Sequence, residues 1–393
     1  ASSNVREIVD IVTKNAAGAG ASYWASHALR TGYFSGNAIL GVLGSQLHDS
    51  LVKRDEGKAD DSKKSLSAVS ISGGLNVDIA TRLQLEAFLC YVDDWKAVQT
   101  GEITFPWDAA VTNSESSGFA FQNHRQTNPV FAASQTIKVI SESIGIFSRR
   151  NSGKEPSVWL SDKSAEALNY PKYYLNDFHY QTDGWLSSKS ANVYEVSTET
   201  LFLGRQDAMQ RRTILPLSRK DDMPTDILEV ACGTGRFSTF VRDRFPKAKV
   251  TLVDLSPFYL DVARDNDSYW RKQRGKAALE AVGSEMEEPL PATLVQANAE
   301  QLPFDDESFD AVTCVYLFHE LPPEARANAA SEMARVLKPG GVLSFTDSLQ
   351  MGDRPAIDKT MGNFGNMNEP YYNDYIQSDL SALFEGSGLK CQE

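Results

Sequence analysis

From residue 226 onward, apolar positions fall into short continuous runs separated by turns and by segments of helical spacing. "DILEV" (226–230), "KVTLVDL" (249–255), "ATLVQA" (292–297), "FDAVTCVYLF" (309–318) and "GVLSFTDS" (341–348) predict buried strands. Between them, "RFSTFVRDRF", "SPFYLDVARDND" and "PEARANAASEMARVL" repeat apolar residues at helical intervals. Ser256 is placed to cap the second helix, with Pro257 at its first position. Lys338-Pro339-Gly340-Gly341 stops the third, and a charged stretch at 271–291 interrupts the alternation. Strands alternating with helices predict βαβ units, hence a parallel sheet covered on both faces. The ligand crevice of such a sheet lies beyond the carboxyl ends of its strands.

The first 150 residues read differently. In "DIATRLQLEAFLCYVDDW", Ile79, Leu83, Ala87 and Tyr91 share one helical face, and Leu85, Phe88, Leu89 and Val92 another. A helix apolar on two faces belongs inside a bundle. "TIKVISESIGIF" sets Ile137, Ile140, Ile144 and Phe147 on one face, and "TGYFSGNAILGVLG" (31–44) suits an interface or a tight helix crossing. Polar joints are expected at 53–65, 148–157 and 218–225. His27, His48 and His124 stand alone and read as structural, because metal sites need several converging ligands. The task of this half is not readable.

Composition narrows the partners. A net charge of −13 argues against non-specific nucleic-acid binding. Cys90, Cys232, Cys314 and Cys391 form no paired motif, which fits a reducing compartment and predicts no metal site. No apolar run is long enough to span a membrane. The chain opens on "ASSNV", which leaves a removed organellar targeting segment and simple trimming both open.

Chemistry enters at the turn after the first strand, Glu229-Val230-Ala231-Cys232-Gly233-Thr234-Gly235. Asp254 ends the next strand about 20 residues later, the distance at which a carboxylate meets a ribose. Small residues for close approach and an acid for two hydroxyls suit an adenosine-bearing cofactor; NAD and S-adenosylmethionine both answer that description.

Four ordered pieces, "LEVACGTGRF", "VTLVDLSPFYLDVAR", "ANAEQLPFDDESFDAVTCVYLFHEL" and "ARVLKPGGVLSFTD", resemble the class I S-adenosylmethionine-dependent methyltransferases. The likeness is to the type 11 branch that includes quinone C-methylases, over roughly residues 225–350. It implies a Rossmann-like, doubly wound, mostly parallel α/β sheet at 221–393, after a mainly helical domain at 1–150 and a helical, aromatic lid segment at 158–220. It further implies Gly233 and Gly235 beneath the methionine part of the cofactor, with Glu229 orienting the turn or the cofactor's amino group. Asp254 would accept from the ribose, Leu255 would flank the adenine, and Asn298 and Ala299 would meet the adenine edge. Ala231 stands where the family often has glycine, and Asn298 where it often has an acid. Alanine prefers negative φ, so the first part of the turn is expected to be less contorted here.

Methyl transfer needs an acceptor held in line and, for oxygen or carbon nucleophiles, a base. His319 is the candidate base, with Glu320 to orient it and Tyr316 just before. "YPKYYLNDFHYQTDGWLSSKSANVYE" (170–195) is similar to the N-terminal approach of cyanobacterial and plastid relatives, and offers His179, Tyr180 and Trp185 as lid residues. Such a lid suits a small apolar or aromatic acceptor, quinone- or pigment-like. A plastid location, peripheral membrane association and membership of a protein complex follow as further expectations. The competing reading is a catalytically silent methyltransferase-fold subunit or assembly factor. The family usually adds two antiparallel strands after the fifth; here "YIQSDLSALFEGSGLKCQE" supplies a helix and at most the start of one strand.

Overall fold

All five expected strands form, and they make one parallel sheet. They are β1 (Asp226–Val230), β2 (Lys249–Asp254), β3 (Thr293–Gln296), β4 (Phe309–Val315) and β5 (Leu337–Thr346), in the order β3-β2-β1-β4-β5. This is the Rossmann-like arrangement that the resemblance implies. The computed structural model describes residues 10, 14, 19–55, 77–105, 129–151, 170–219, 222–282, 290–355 and 358–392. His124, the lid residues 158–169 and most of the 53–65 and 148–157 joints lie outside the described residues.

Helices α1 (Ala19–Asp55), α2 (Val77–Gln99) and α3 (Pro129–Asn151) precede the sheet, and α4 (Ser188–Leu201) and α5 (Gln206–Arg211) lead into it. The crossovers are α6 (Arg236–Arg244), α7 (Pro257–Val282) and α8 (Pro323–Val336); α9 (Tyr372–Tyr375) and α10 (Leu380–Gly386) follow β5. Val230 pairs with Val253 on one side and Cys314 on the other, so the ends of β1, β2 and β4 lie level. The chain leaves β1 toward β2 and returns on its far side at β4. That reversal opens a crevice at the carboxyl edge.

Each sheet face carries its own core. On one, Leu228, Val230 and Val312 pack against Ala329 and Met333 of α8 and against Tyr375 and Phe384 of the C-terminal helices. On the other, Ile227 and Leu252 meet Phe237, Phe240 and Val241 of α6 together with Ile214, Leu217 and, from the N-terminal region, Ala97 and Ile103. The N-terminal helices are further joined to the sheet by a buried ion pair. Arg211 of α5 donates to both carboxylate oxygens of Asp94 in α2, and Tyr23 of α1 donates to the same carboxylate at 2.6 Å.

The pattern misjudged some faces and one boundary. Ile137 is exposed, and α3 instead buries Val139 and Glu142. Glu142 accepts from the Thr182 backbone N–H (2.7 Å) and hydroxyl (2.8 Å), so a polar residue holds a core position. In α2, Tyr91 and Val92 are buried as expected while Phe88 is exposed. β5 begins at Leu337, the last residue of the predicted helix, and runs through the predicted stop at 338–341; its pairing with β4 shifts register between Phe309 and Ala311. The 31–44 segment does form a tight crossing: a side chain at Gly41 would come 2.6 Å from Ser143 Oγ of α3. After β5 a helix forms, and among the described residues no strand follows it. The short turn Arg212–Ile214 packs on one face of β5, with Ser344 Oγ donating to Thr213 O at 2.6 Å.

Candidate functional site

The glycine turn is built by three left-handed residues in five. Ala231, Gly233 and Gly235 have φ of 57°, 54° and 70°. The expectation of a relaxed Ala231 is therefore overturned: the strand must turn sharply there whatever residue it carries. An L-residue in this region costs about 1–2 kcal/mol, and glycine's extra unfolded-state freedom costs about 0.5–1. Ala231→Gly is thus expected to leave stability unchanged or raise it by up to about 1 kcal/mol in chemical denaturation; a loss above 1 kcal/mol would show that the methyl group is needed.

The two glycines do different work. A side chain built on Gly233 would meet only Tyr194 Cε1, at 3.9 Å, so its bare face opens on the cleft. Gly235 stands at the N-terminus of α6. A Cβ there would meet Ala263 Cβ at 3.1 Å, so this glycine lets α6 pack closely on α7.

Asp254 braces that turn. One carboxylate oxygen accepts from Gly233 N at 2.8 Å and the other from Ser256 N at 2.8 Å. Each oxygen has two lone pairs, so each can still accept one hydroxyl. Burial pushes the carboxyl up to about 6 against those two backbone N–H groups, which lower it.

The cleft has two lobes that meet over Ala231, Gly233, Tyr194 and Tyr316. The first, about 730 Å³ including its open mouth, is lined by Asp254, Leu255, Asn298, Ala299, Trp185 and Glu320 among others. The second, about 560 Å³, holds Glu229, Glu199, Gln206 and Gln210. Glu229 is buried, its Oε2 has no hydrogen-bond partner, and burial followed by the nearby Asp254 charge holds its carboxyl well above the usual range. An orphaned acceptor beside bare backbone calls for a donor or a cation. The ammonium of S-adenosylmethionine is such a group, and the ribose fits the free lone pairs of Asp254.

Asn298 is already partly engaged. Its Oδ1 accepts from Glu300 N at 3.0 Å, which makes it a turn-forming residue as well as a lining one and leaves one lone pair for an adenine amine.

The lid is an aromatic cluster. Trp185 packs edge-on against Tyr194 and Tyr259, with ring centroids 5.7 and 5.4 Å apart. Ser256 Oγ donates to Trp185 O at 2.6 Å and accepts from Tyr259 N at 3.3 Å, so the expected N-cap of α7 also anchors the lid. Of the expected lid residues only Trp185 lines the cleft. Tyr180 turns its carbonyl to Arg149 Nε at 2.7 Å, and His179 points toward Glu369. Tyr173, Tyr174 and Tyr194 of the same 170–195 segment line the cleft as well, together with Tyr259 of α7.

At the end of β4 the expected partners are rearranged. His319 is oriented by Asp347 (Nδ1 to Oδ1 2.6 Å), while Glu320 lies 3.9 Å from Nε2. Glu320, not His319, lines the cleft. Tyr316 lines both lobes at φ 58°, its hydroxyl buried without a partner and its phenol held well above its usual value by burial. Asp347 was missed because it lies 28 residues from His319 and the strand pairing alone brings them together. His27 proves structural: it is buried, stacked on Tyr23, and lowered by burial to about 3.

Comparison with known proteins matches these same elements. Residues 227–341 match the family described as methyltransferase domain. A demethylmenaquinone methyltransferase of Deinococcus radiodurans is 35% identical over 30% of this chain and 42% of its own length. One of Thermus thermophilus is 33% identical over 40% of this chain and 61% of its own. A fatty-acid O-methyltransferase of Mycolicibacterium smegmatis is 31% identical over 35% and 42%. The chain thus spans about half the length of the curated relatives it matches. A solved structure described as a methyltransferase, from Bacillus halodurans, is 29% identical over 47% of this chain and 70% of its own, with a TM-score of 0.32. Among the described residues no helix is long and apolar enough to cross a membrane. Sequence match, strand order, glycine turn and the carboxylate ending β2 fall on one stretch of chain, which carries a Rossmann-like fold and is similar in sequence to a methyltransferase domain.

Proposed function

We propose that the protein transfers the methyl group of S-adenosylmethionine to a small apolar or aromatic acceptor, quinone- or pigment-like. One observation carries the reading: the bare face of Gly233, the braced Asp254 and the orphaned Glu229 Oε2 converge on a cleft roofed by Trp185 and Tyr194. The cofactor, when bound, supplies a methyl group on a cationic sulfur. Asp254 would hold the ribose, Glu229 the ammonium, and Leu255, Asn298 and Ala299 the adenine. The aromatic roof would exclude water and offer flat surfaces to a ring. Glu320, which faces the cleft, would take the acceptor's proton, with His319 and Asp347 fixing its surroundings. Two of the relatives are demethylmenaquinone methyltransferases, which supports a quinone-like acceptor.

Calorimetric titration with S-adenosylmethionine is expected to show one site per chain. Labelled methyl from the cofactor should then enter a lipid-soluble product in an extract of the source tissue. Absence of binding heat at millimolar cofactor would end the reading; binding without any labelled product would favour the silent-subunit alternative. A plastid setting belongs to the same proposal. Immunodetection in isolated plastids tests it, and detection only outside them would overturn it.

A further inference from the structure

Three side chains from distant parts of the chain converge beside Glu320. His179 comes from the turn Phe178–Tyr180, His319 from the turn after β4 and Glu369 from the segment after β5. Their candidate ligand atoms all lie within 4.8 Å of one another. The Glu369 side chain has no exposure, and His179 is its neighbour on two counts: the ring Nδ1 stands 3.0 Å from Oε1, and the backbone N–H favours the ionised carboxyl, with no cation beside it among the described ion pairs except that imidazole. A carboxylate so placed is costly unless a cation or a proton joins it. Two nearby guanidinium groups have partners of their own. Arg326 binds Asp374 and the Phe318 and Tyr371 carbonyls, and Arg149 binds Glu142 and the Tyr180 carbonyl.

The imidazoles are set for coordination. Asp347 Oδ1, at 2.6 Å from Nδ1 of His319, fixes that ring and leaves Nε2 as its ligating nitrogen. A histidine backed by a carboxylate on its other nitrogen is the usual outer-sphere arrangement of metal-binding sites. His179 and Tyr180 are consecutive left-handed residues, with φ of 56° and 54°. That bend brings the His179 ring to Glu369, at a cost of order 1–3 kcal/mol per residue.

We propose that His179, His319 and Glu369 bind one divalent transition-metal ion, with Asp347 orienting His319 and at least one coordination position left open near Glu320. Two imidazoles and one carboxylate suit zinc or ferrous iron. An ion about 2.1 Å from each ligand wants tetrahedral neighbours roughly 3.4 Å apart, so the widest pair closes by about 1.4 Å at most. Metal binding stands independently of methyl transfer; where that reading also holds, the open position would take an acceptor oxygen beside Glu320.

The test uses the full chain, stripped with a chelator and titrated with Zn²⁺ by calorimetry and with Co²⁺ by visible absorption. One ion per chain is expected, with cobalt bands of low-symmetry, imidazole-containing coordination. His179→Ala and Glu369→Gln should each weaken binding by at least about 100-fold, and Asp347→Asn by about 10–100-fold. Circular dichroism checks that each variant folds; should Glu369→Gln not fold, His179→Ala decides, since its side chain is partly exposed. Cys391→Ser, which removes the exposed thiol, should change nothing. Absence of saturable binding, or binding that His179→Ala leaves within threefold, overturns the site. S-adenosylmethionine is titrated into the same stripped samples, so a protein that binds cofactor but no metal sinks this inference alone.

Discussion

Asp254→Ala is expected to weaken S-adenosylmethionine binding by at least about 100-fold. The carboxylate has one lone pair per oxygen left for the ribose, since the others accept from Gly233 N and Ser256 N. Hydrogen bonds to a charged acceptor contribute about 1.5–3 kcal/mol each, so losing two exceeds the roughly 2.7 kcal/mol that a 100-fold change represents. The substitution also frees the Gly233 amide that the side chain holds in place. A pH signature accompanies it. Burial, opposed by the Ser256 and Gly233 amides, raises this carboxyl from 3.8 to about 6 in the folded chain. A carboxyl raised on folding binds more protons in the folded state. Its contribution to stability is therefore fully present below about pH 4 and is lost as pH rises through 6, by about 3 kcal/mol at most. Cofactor affinity runs the other way, because the ribose needs the ionised acceptor: it should fall up to tenfold between pH 6 and 5. Glu229, raised by the same burial, adds to that fall and does not oppose it. Titrations at pH 5, 6 and 7.5 check both statements. Parent-like affinity in Asp254→Ala would remove this carboxylate from the site.

What could be read from sequence follows from range. The strands were legible because each is a local apolar run, and Asp254 because its place at the end of β2 follows from strand length alone. Ala231 was misjudged because residue preference pointed to negative φ, whereas the chain path between β1 and α6 dictates the left-handed turn. The α3 face was misread for a related reason: Glu142 is buried because it accepts two bonds from Thr182, a partner 40 residues away. His319 was found, but its true neighbours Asp347, His179 and Glu369 reach it only through β5 and two turns of irregular backbone, where no spacing rule operates. Local chemistry was visible. Chemistry assembled across the fold was not.

Asp94→Ala is expected to cost about 3–5 kcal/mol in denaturant unfolding, although it lies far in sequence from the cleft. The change leaves the Arg211 guanidinium, 2% exposed, without its counter-ion and deprives the Tyr23 hydroxyl of one acceptor. Removing one partner of a buried pair is costly because the other charge stays desolvated. Replacing both, as in Asp94→Leu with Arg211→Met, should recover most of the loss, since apolar isosteres avoid that penalty. A loss under 1 kcal/mol in the single variant would mean that the N-terminal helices are not coupled to the sheet through this pair. The coupling matters for function because a second chain of charges continues from it. Asp207 of α5 accepts from Arg30 of α1 at 2.8 Å and from Arg236, the first residue after the glycine turn, at 2.6 Å. Arg236 also lies over the Phe240 ring, 4.8 Å from its centroid. The long helices before the sheet thus brace the wall of the lobe that holds Glu229, and loosening α5 at Arg211 should lower cofactor affinity as well as stability. A variant that loses stability while binding cofactor as tightly as the parent would confine the N-terminal helices to a purely architectural role.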